Sequence, residues 1–277
     1  MSRATSAESL PELSPEFHPG TSALLISVPH AGTGLPAGMS QDLNQDAREL
    51  PDTDWFVDRL YSFAAGLGAG MLIARTSRVV VDLNRPADDQ PLYDAAQTSL
   101  MTGVVPMQCF SGAAVYVPGK EPSETEIAAR LEQYWHPYHR RLQAALHQIC
   151  ARHGHAVLLD AHSIRAEVPL LFDGVLPDLN LGSNGGRSAA ADLLDYVAAC
   201  LRGASWSVAV DGRFKGGFIT RHYGQPVQRI HALQLEIAQH CYMHESPPAW
   251  EQQSAGALQQ HLQQLVQLLI DWKPPND

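Results

Sequence analysis

The chain sets polar residues capable of chemistry at the ends of short apolar runs. In "SVPHAGTG", His30 follows the run Ala23-Leu24-Leu25-Ile26 and sits on a turn containing Pro29, Gly32 and Gly34. "VVVDLNRP" offers Asp82, Asn84 and Arg85, and "AVLLDAHS" offers Asp160 and His162. In "LQLEIAQ", Leu233, Leu235 and Ile237 share one side of a strand, which puts Gln234 and Glu236 together on the other. A carboxylate in mid-strand is costly to bury unless it is paired or used. Two neutral imidazoles and one carboxylate form a common ligand set for a catalytic zinc, with a position left for water. His30 and His162 are the candidate imidazoles, and "DTDW" supplies the carboxylate from Asp52 or Asp54.

Each of these residues also has a plainer reading. Pro and Gly around His30 describe an ordinary turn. Asp52 and Asp54 precede a helical pattern starting at Phe56, where one of them would serve as an N-cap. His162 reads equally as a hydrogen-bonded core histidine. Asp160, two residues earlier on the same face, suits an outer partner for that ring. His136 and His139 have ligand-like spacing but lie in a helical, arginine-rich stretch, which favours packing or surface roles.

The elements that must position these residues follow from periodicity and composition. With 277 residues, 45% of them apolar, the chain is read as a single domain over 1–277. Residues 1–20, rich in Pro, Ser and Glu, form a loosely ordered lead-in. Strands are expected at 23–28, 71–75, 79–83, 156–160, 169–173, 207–210 and 233–237. Helical spacing runs from Phe56 through Leu60 and Phe63 to Leu67, and Ser123 with Glu126 fits a capping box. Pro137 should kink that second helix or start a new one. Further helices are expected at about 187–202 and 256–271. Alternating strands and helices predict an α/β fold, a mixed and mostly parallel sheet with helices on both faces. Sites in such sheets gather at the carboxyl ends of strands.

Composition narrows the partners. A formal net charge of −10 argues against nucleic acid or an anionic membrane surface. No apolar run is long enough to span a bilayer, and the N-terminal segment lacks the apolar core of a signal peptide. Four scattered cysteines without a CxxC pair suit reduced thiols and a cytoplasmic setting. An anionic small-molecule substrate would have to be drawn in by local arginines.

In order along the chain, "SVPHAG", "DTDW", "SRVVVDLNRP", "DAHSI", "LPDLNLG", "GGFITRHYG" and "HALQLEIAQHCYM" resemble the N-formylglutamate amidohydrolase family. The resemblance covers about Ser27 to Met243. It implies a three-layer α/β/α fold related to zinc carboxypeptidases and hydrolysis of N-formyl-L-glutamate to formate and L-glutamate in histidine breakdown. It further implies one Zn2+ per chain held by His30, Asp54 and His162, with Glu236 as general base. Arg85 would meet the substrate or the oxyanion, beside Asn84. Arg221 and, more weakly, Arg165 are further anion contacts. "LGSNGGRSAA" departs from the family pattern, which carries a threonine and a cysteine there; this bears on loop detail. Rival readings are hydrolysis of another N-acyl amino acid and catalytically silent binding of an acidic amino acid. The presence of all four of His30, Asp54, His162 and Glu236 favours the enzyme.

Overall fold

Runs rich in Leu, Ile and Val that are too short for helices pair into one seven-stranded sheet. The computed structural model describes residues 13–92, 103–203 and 205–275. The strands are β1 (Glu16–His18), β2 (Leu24–Val28), β3 (Gly70–Ile73), β4 (Ala156–Ile164), β5 (Leu179–Gly182), β6 (Val208–Val210) and β7 (Ile230–Ala238). Their order is β1-β3-β2-β4-β7-β5-β6. Strands β3, β2, β4 and β7 run parallel, β5 lies antiparallel to β7, and β6 is parallel to β5. Edge strand β1 is antiparallel to β3. A small hairpin joins β8 (Met243–Glu245) to β9 (Pro248–Trp250). The mixed, mostly parallel sheet expected from the sequence is present.

Helices cover both faces. They are α1 (Met39–Asp42), α2 (Gln45–Arg48), α3 (Val57–Leu60), α4 (Glu124–Arg130), α5 (His136–His153), α6 (Ala191–Arg202), α7 (Phe218–Tyr223) and α8 (Gln252–Asp271). On one face Leu159, Ala161, Leu233 and Leu235 join a core with Leu193 and Val197 of α6 and Leu262 and Leu265 of α8. On the other, Leu25, Leu72, Leu158 and Ala232 meet Tyr138, Leu142 and Leu146 of α5. The sheet is thus the middle of three layers, since alternate side chains along each strand feed opposite cores.

The α5 face changes character along β4 and β7. Ala156 and Leu158 are apolar, but Asp160 and His162 continue the same side of β4. Residues Ala232, Gln234 and Glu236 do the same on β7, and His162 is the register partner of Glu236. The apolar halves anchor the strands under α5. The polar halves project beyond it at the carboxyl ends.

Several elements differ from expectation. Residues 79–83 are not a strand: Val80 N donates to Ser77 O, Asp82 N to Val104 O, and Val79, Val80 and Val81 fill the α5-side core from a turn. Burial rather than pairing explains that valine run. Residues 169–173 also form a turn, closed by bonds from Leu171 N and Phe172 N to Val168 O. The helical spacing from Phe56 is divided between α3 and a 3-10 turn at Ala64–Leu67, and Phe56 itself has a left-handed φ of 61°. Strand β5, in the quoted "LPDLNLG", was not expected. The capping box at Ser123 and Glu126 forms as read. Before Pro137 the helix widens into one π turn, Leu131–Trp135, and then continues as α5. Of the lead-in read at 1–20, residues 1–12 lie outside the described part, while Glu16–His18 form β1. Among the described residues no helix is long and apolar enough to cross a membrane.

Leu158 is fully buried two residues before Asp160, on the same side of β4. Truncating it leaves a cavity beneath the polar end of β4. Leu158→Ala should therefore cost about 2–5 kcal/mol of stability. The fully exposed Val227 serves as control, with Val227→Ala staying within about 0.5 kcal/mol. Urea unfolding of the two variants beside the parent protein checks the contrast.

Candidate metal centre and catalytic cleft

His30 leaves β2 through Pro29 and a turn that lies hard against the chain following β3. A Cβ on Gly32 would come within 2.5 Å of Arg75 C and Thr76 O, so only glycine permits this approach. Gly34 N donates to Arg75 O, and Asp54 N donates to His30 O, joining the His30 turn to the "DTDW" loop. The His30 ring is buried, with Nε2 2.8 Å from Asp82 Oδ1. Its Nδ1 is also buried, has no hydrogen-bond partner and lies 3.7 Å from Asp54 Oδ2.

His162 adopts the same arrangement from β4. Nδ1 is 2.9 Å from Asp54 Oδ2, and Nε2 is 3.1 Å from Asp160 Oδ2. Both rings therefore turn Nδ1 toward Asp54 and rest Nε2 against a carboxylate, the outer support usual for metal-binding histidines. Asn84 braces one of these supports, donating through Nδ2 to Asp160 Oδ2 while its Oδ1 accepts from Ile219 N. The same Nδ2 lies 2.9 Å from His162 Nε2. His30, Asp54 and His162 each offer a ligand atom within 4.8 Å of the others. A buried imidazole nitrogen without a partner, facing a carboxylate and a second imidazole, fits a divalent ion of the zinc class.

The charges agree with that fit. Burial opposes ionisation of Asp54, but the hydrogen-bonded His162 and nearby His30 outweigh it and hold the carboxyl below its ordinary range. For Asp82 burial is outweighed by Arg78 and then His30. Arg78 lies 2.8 Å from Asp82 Oδ2 and 3.6 Å from Asp54 Oδ1. Burial disfavours the His162 cation, yet Asp160 and Asp54 raise its pKa well above the ordinary value. Several carboxylates thus converge around the buried Arg78, and a cation at the Nδ1 atoms would add to its compensation of their charge.

Glu236 sits beside this group with a different environment. It is 6% exposed and accepts a bond from Gln234 Nε2 at 3.2 Å. Gln234 Oε1 takes the N–H of Gly217, where a Cβ would come within 2.5 Å of the Asn84 amide. Burial pushes the Glu236 carboxyl up to about 8. Neighbouring carboxylates in one cleft are therefore driven in opposite directions, the separation that distinguishes a proton carrier from a fixed anion.

One cleft is lined by His30, Asp54, His162, Glu236, Asn84 and Arg85. Arg165 and Arg221, read as further anion contacts, are not in that lining. Arg165 lies 3.6 Å from Asp52, and Arg221 Nε donates to Gly216 O. Asp52 Oδ2 accepts from Phe110 N, and neither Asp52 nor Asp54 caps α3, whose N-cap position is Phe56. His139 is a packing residue, with Nε2 3.0 Å from Leu83 O and Nδ1 3.0 Å from Tyr223 OH.

Two cleft arginines were missed. Arg78 lies four residues before Asp82 within the quoted "SRVVVDLNRP", a spacing that hinted at the pair. Arg213, in "DGRFKGGF", has a buried Nε without a hydrogen-bond partner. Nothing in its local pattern announces it, because a glycine-rich loop carries it into the cleft.

Residues 22–243 match the model of a family described as N-formylglutamate amidohydrolase. Two relatives named N-formylglutamate deformylase are similar over nearly their whole length. The one from Pseudomonas putida is 46% identical, covering 92% of this chain and 95% of its own. The one from Pseudomonas aeruginosa is 48% identical, with 92% and 96% covered. A solved N-formylglutamate amidohydrolase from Ralstonia eutropha JMP134 superposes with a TM-score of 0.83 at 25% identity, covering 94% of this chain and 98% of that one. A gene product of Agrobacterium tumefaciens shares the fold, with a TM-score of 0.69 at 20% identity, covering 91% and 93%.

The raised Glu236 carboxyl has a thermodynamic signature in metal-free protein. Its folded value of about 8 exceeds an unfolded value of about 4.3, so folding favours the neutral form. The stability it contributes is fully present below the unfolded value and is lost as pH rises to about 8. Melting of metal-free protein should therefore show the parent losing stability relative to Glu236→Gln between these limits, then levelling. Parallel melting curves across that window would contradict the assignment.

Proposed function

The chain is a member of the N-formylglutamate amidohydrolase family, and from that premise we propose that it hydrolyses N-formyl-L-glutamate to formate and L-glutamate with one divalent ion, zinc by preference. The observation that carries the chemistry is the unpartnered Nδ1 of His30, buried beside Asp54 and His162 in the cleft that holds Glu236. A cytoplasmic setting and a place in histidine breakdown belong to the same reading. Four free thiols suit a reducing compartment.

His30 Nδ1, Asp54 and His162 Nδ1 would hold the ion. An ion bound there would act as a Lewis acid toward the formyl carbonyl and ease ionisation of the attacking water. Glu236 takes a proton from that water as the new C–O bond forms. It returns the proton to the departing nitrogen as the C–N bond breaks, releasing the amine of glutamate. A carboxyl whose proton affinity has been lifted toward neutrality is suited to both halves of that transfer.

The substrate brings two carboxylates into an acidic protein. Arg85 and Arg213 are the cleft guanidiniums assigned to them, since planar, forked donors match carboxylates better than ammonium groups do. Arg78 is committed instead to Asp82 and Asp54, and so holds the support of His30 in place. Asn84 and Gly217 fix the cleft wall beside Glu236.

Protein purified without a histidine tag should contain about one divalent ion per chain, with activity lost on chelation and restored by zinc. Asp54→Ala should empty the site, whereas Asp52→Ala should keep the ion. Full activity of metal-free protein would sink the mechanism.

Glu236→Gln should retain the ion and substrate affinity while kcat falls on the order of a hundredfold or more. A near-normal kcat would remove Glu236 from the proton transfer.

Replacing N-formylglutamate by N-formylglutamine leaves one guanidinium poorly paired, costing about 1.5–3 kcal/mol, or roughly ten- to a hundredfold in kcat/KM. Arg85→Ala and Arg213→Ala should each weaken hydrolysis of the glutamate compound, and the one facing the side-chain carboxylate should also narrow the preference over glutamine. Steady-state kinetics on both compounds separates these effects. Equal kcat/KM values for the parent protein on the two would overturn the specificity.

A further inference from the structure

A second group of ligand-type side chains lies outside the cleft, where β7 ends. His240 and Cys241 belong to a single 3-10 turn directly after β7, and Asp178 precedes β5. Asp178 is held firmly: its Oδ2 accepts from Ser207 N at 2.8 Å and Ser207 Oγ at 2.7 Å. Its Oδ1 is then left to face His240 Nε2 at 2.8 Å and Cys241 Sγ at 3.5 Å. Sγ and Nε2 are 3.7 Å apart.

These separations suit three donors around one ion. Ligand atoms about 2.0–2.3 Å from a tetrahedral zinc lie roughly 3.3–3.6 Å from one another. The sulfur–oxygen distance falls in that range, and the sulfur–nitrogen distance of 3.7 Å lies just above it. The nitrogen–oxygen pair would have to open by about 0.5 Å, and the His240 side chain, 44% exposed, has room to swing.

We propose that Asp178 Oδ1, His240 Nε2 and Cys241 Sγ form a second cation site, for a soft or borderline divalent ion such as zinc or cadmium, separate from the cleft. Thiolate and imidazole donors select such ions over magnesium or calcium. The chain's charge of −10 adds a general attraction for cations. The trio is not an activated nucleophile. Burial and then the Asp178 carboxylate push the Cys241 thiol upward, so an arriving ion must displace the proton. The site would tie the end of β7 to the start of β5. Its neighbours on the turn, Gln239 and Tyr242, bond Thr53 O and Trp55 O on either side of Asp54.

The cleft donors include no sulfur, which makes the two sites spectroscopically distinct. Tag-free protein carrying about one zinc per chain, the amount the cleft site takes, is titrated with cadmium, following ultraviolet thiolate-to-cadmium charge transfer. The band should saturate near about one equivalent per chain. Cys241→Ser should abolish it, and His240→Ala should weaken cadmium binding at least about a hundredfold, since even an outer support is worth ten- to a hundredfold. Circular dichroism and retained zinc in the cleft confirm that each variant is folded. Absence of the band in the parent protein, its persistence in Cys241→Ser, or unchanged affinity in His240→Ala overturns the proposal.

Discussion

A single buried carboxylate holds the cleft together. Asp54 Oδ2 meets His162 Nδ1 and Ser163 N, lies 3.7 Å from His30 Nδ1, and has Arg78 3.6 Å from its other oxygen. Removing such a charge from water costs several kcal/mol unless its neighbours replace the lost solvation. Those neighbours come from three separate parts of the chain: the turn after β2, the loop carrying Arg78, and the end of β4. Satisfying one carboxylate therefore requires all three to close around it. Glu236, a register partner away from His162, receives fewer donors, and burial decides its behaviour instead.

Much of this was legible because side-chain periodicity and burial cost act locally. Alternation in "LQLEIAQ" put Gln234 and Glu236 on one side of a strand, and β7 keeps them there. The same logic joined Asp160 to His162. What escaped was pairing and long-range placement. Three consecutive valines at 79–81 look like a strand, yet they are buried by side-chain packing without ladder bonds. The short β5 lacks a long apolar run because it borrows its register from β7. Arg213 reaches the cleft on a glycine-rich loop, whose path depends on contacts far away in sequence. Arg221, read from its motif, lies outside the cleft lining, with Nε bonded to the Gly216 carbonyl.

The outer layer has its own part in positioning. The π turn before Pro137 brings the Trp135 indole onto Arg85 O at 2.9 Å, and one helical turn later His139 holds Leu83 O. Burial keeps the His139 ring neutral, with its pKa lowered to about 3, so this bracket does not change charge near neutral pH. Two side chains of one helix thereby fix the backbone on either side of Asn84. The proline that limits regular helix here also sets the phase of the residues that grip the loop.

The division of β4 into an apolar and a polar half makes folding and function one cooperative unit. Nine consecutive register pairs with β7 tie Ala156 to Ile230 at one end and Ile164 to Ala238 at the other. A slip of one residue would turn Asp160 and His162 into the α6–α8 core and bring Ala161 to the cleft. Partial loosening is therefore no route to a softened yet working site. On heating, activity and tertiary structure should disappear in the same transition, and the amides around Asp160 should be among the slowest in the molecule to exchange with solvent.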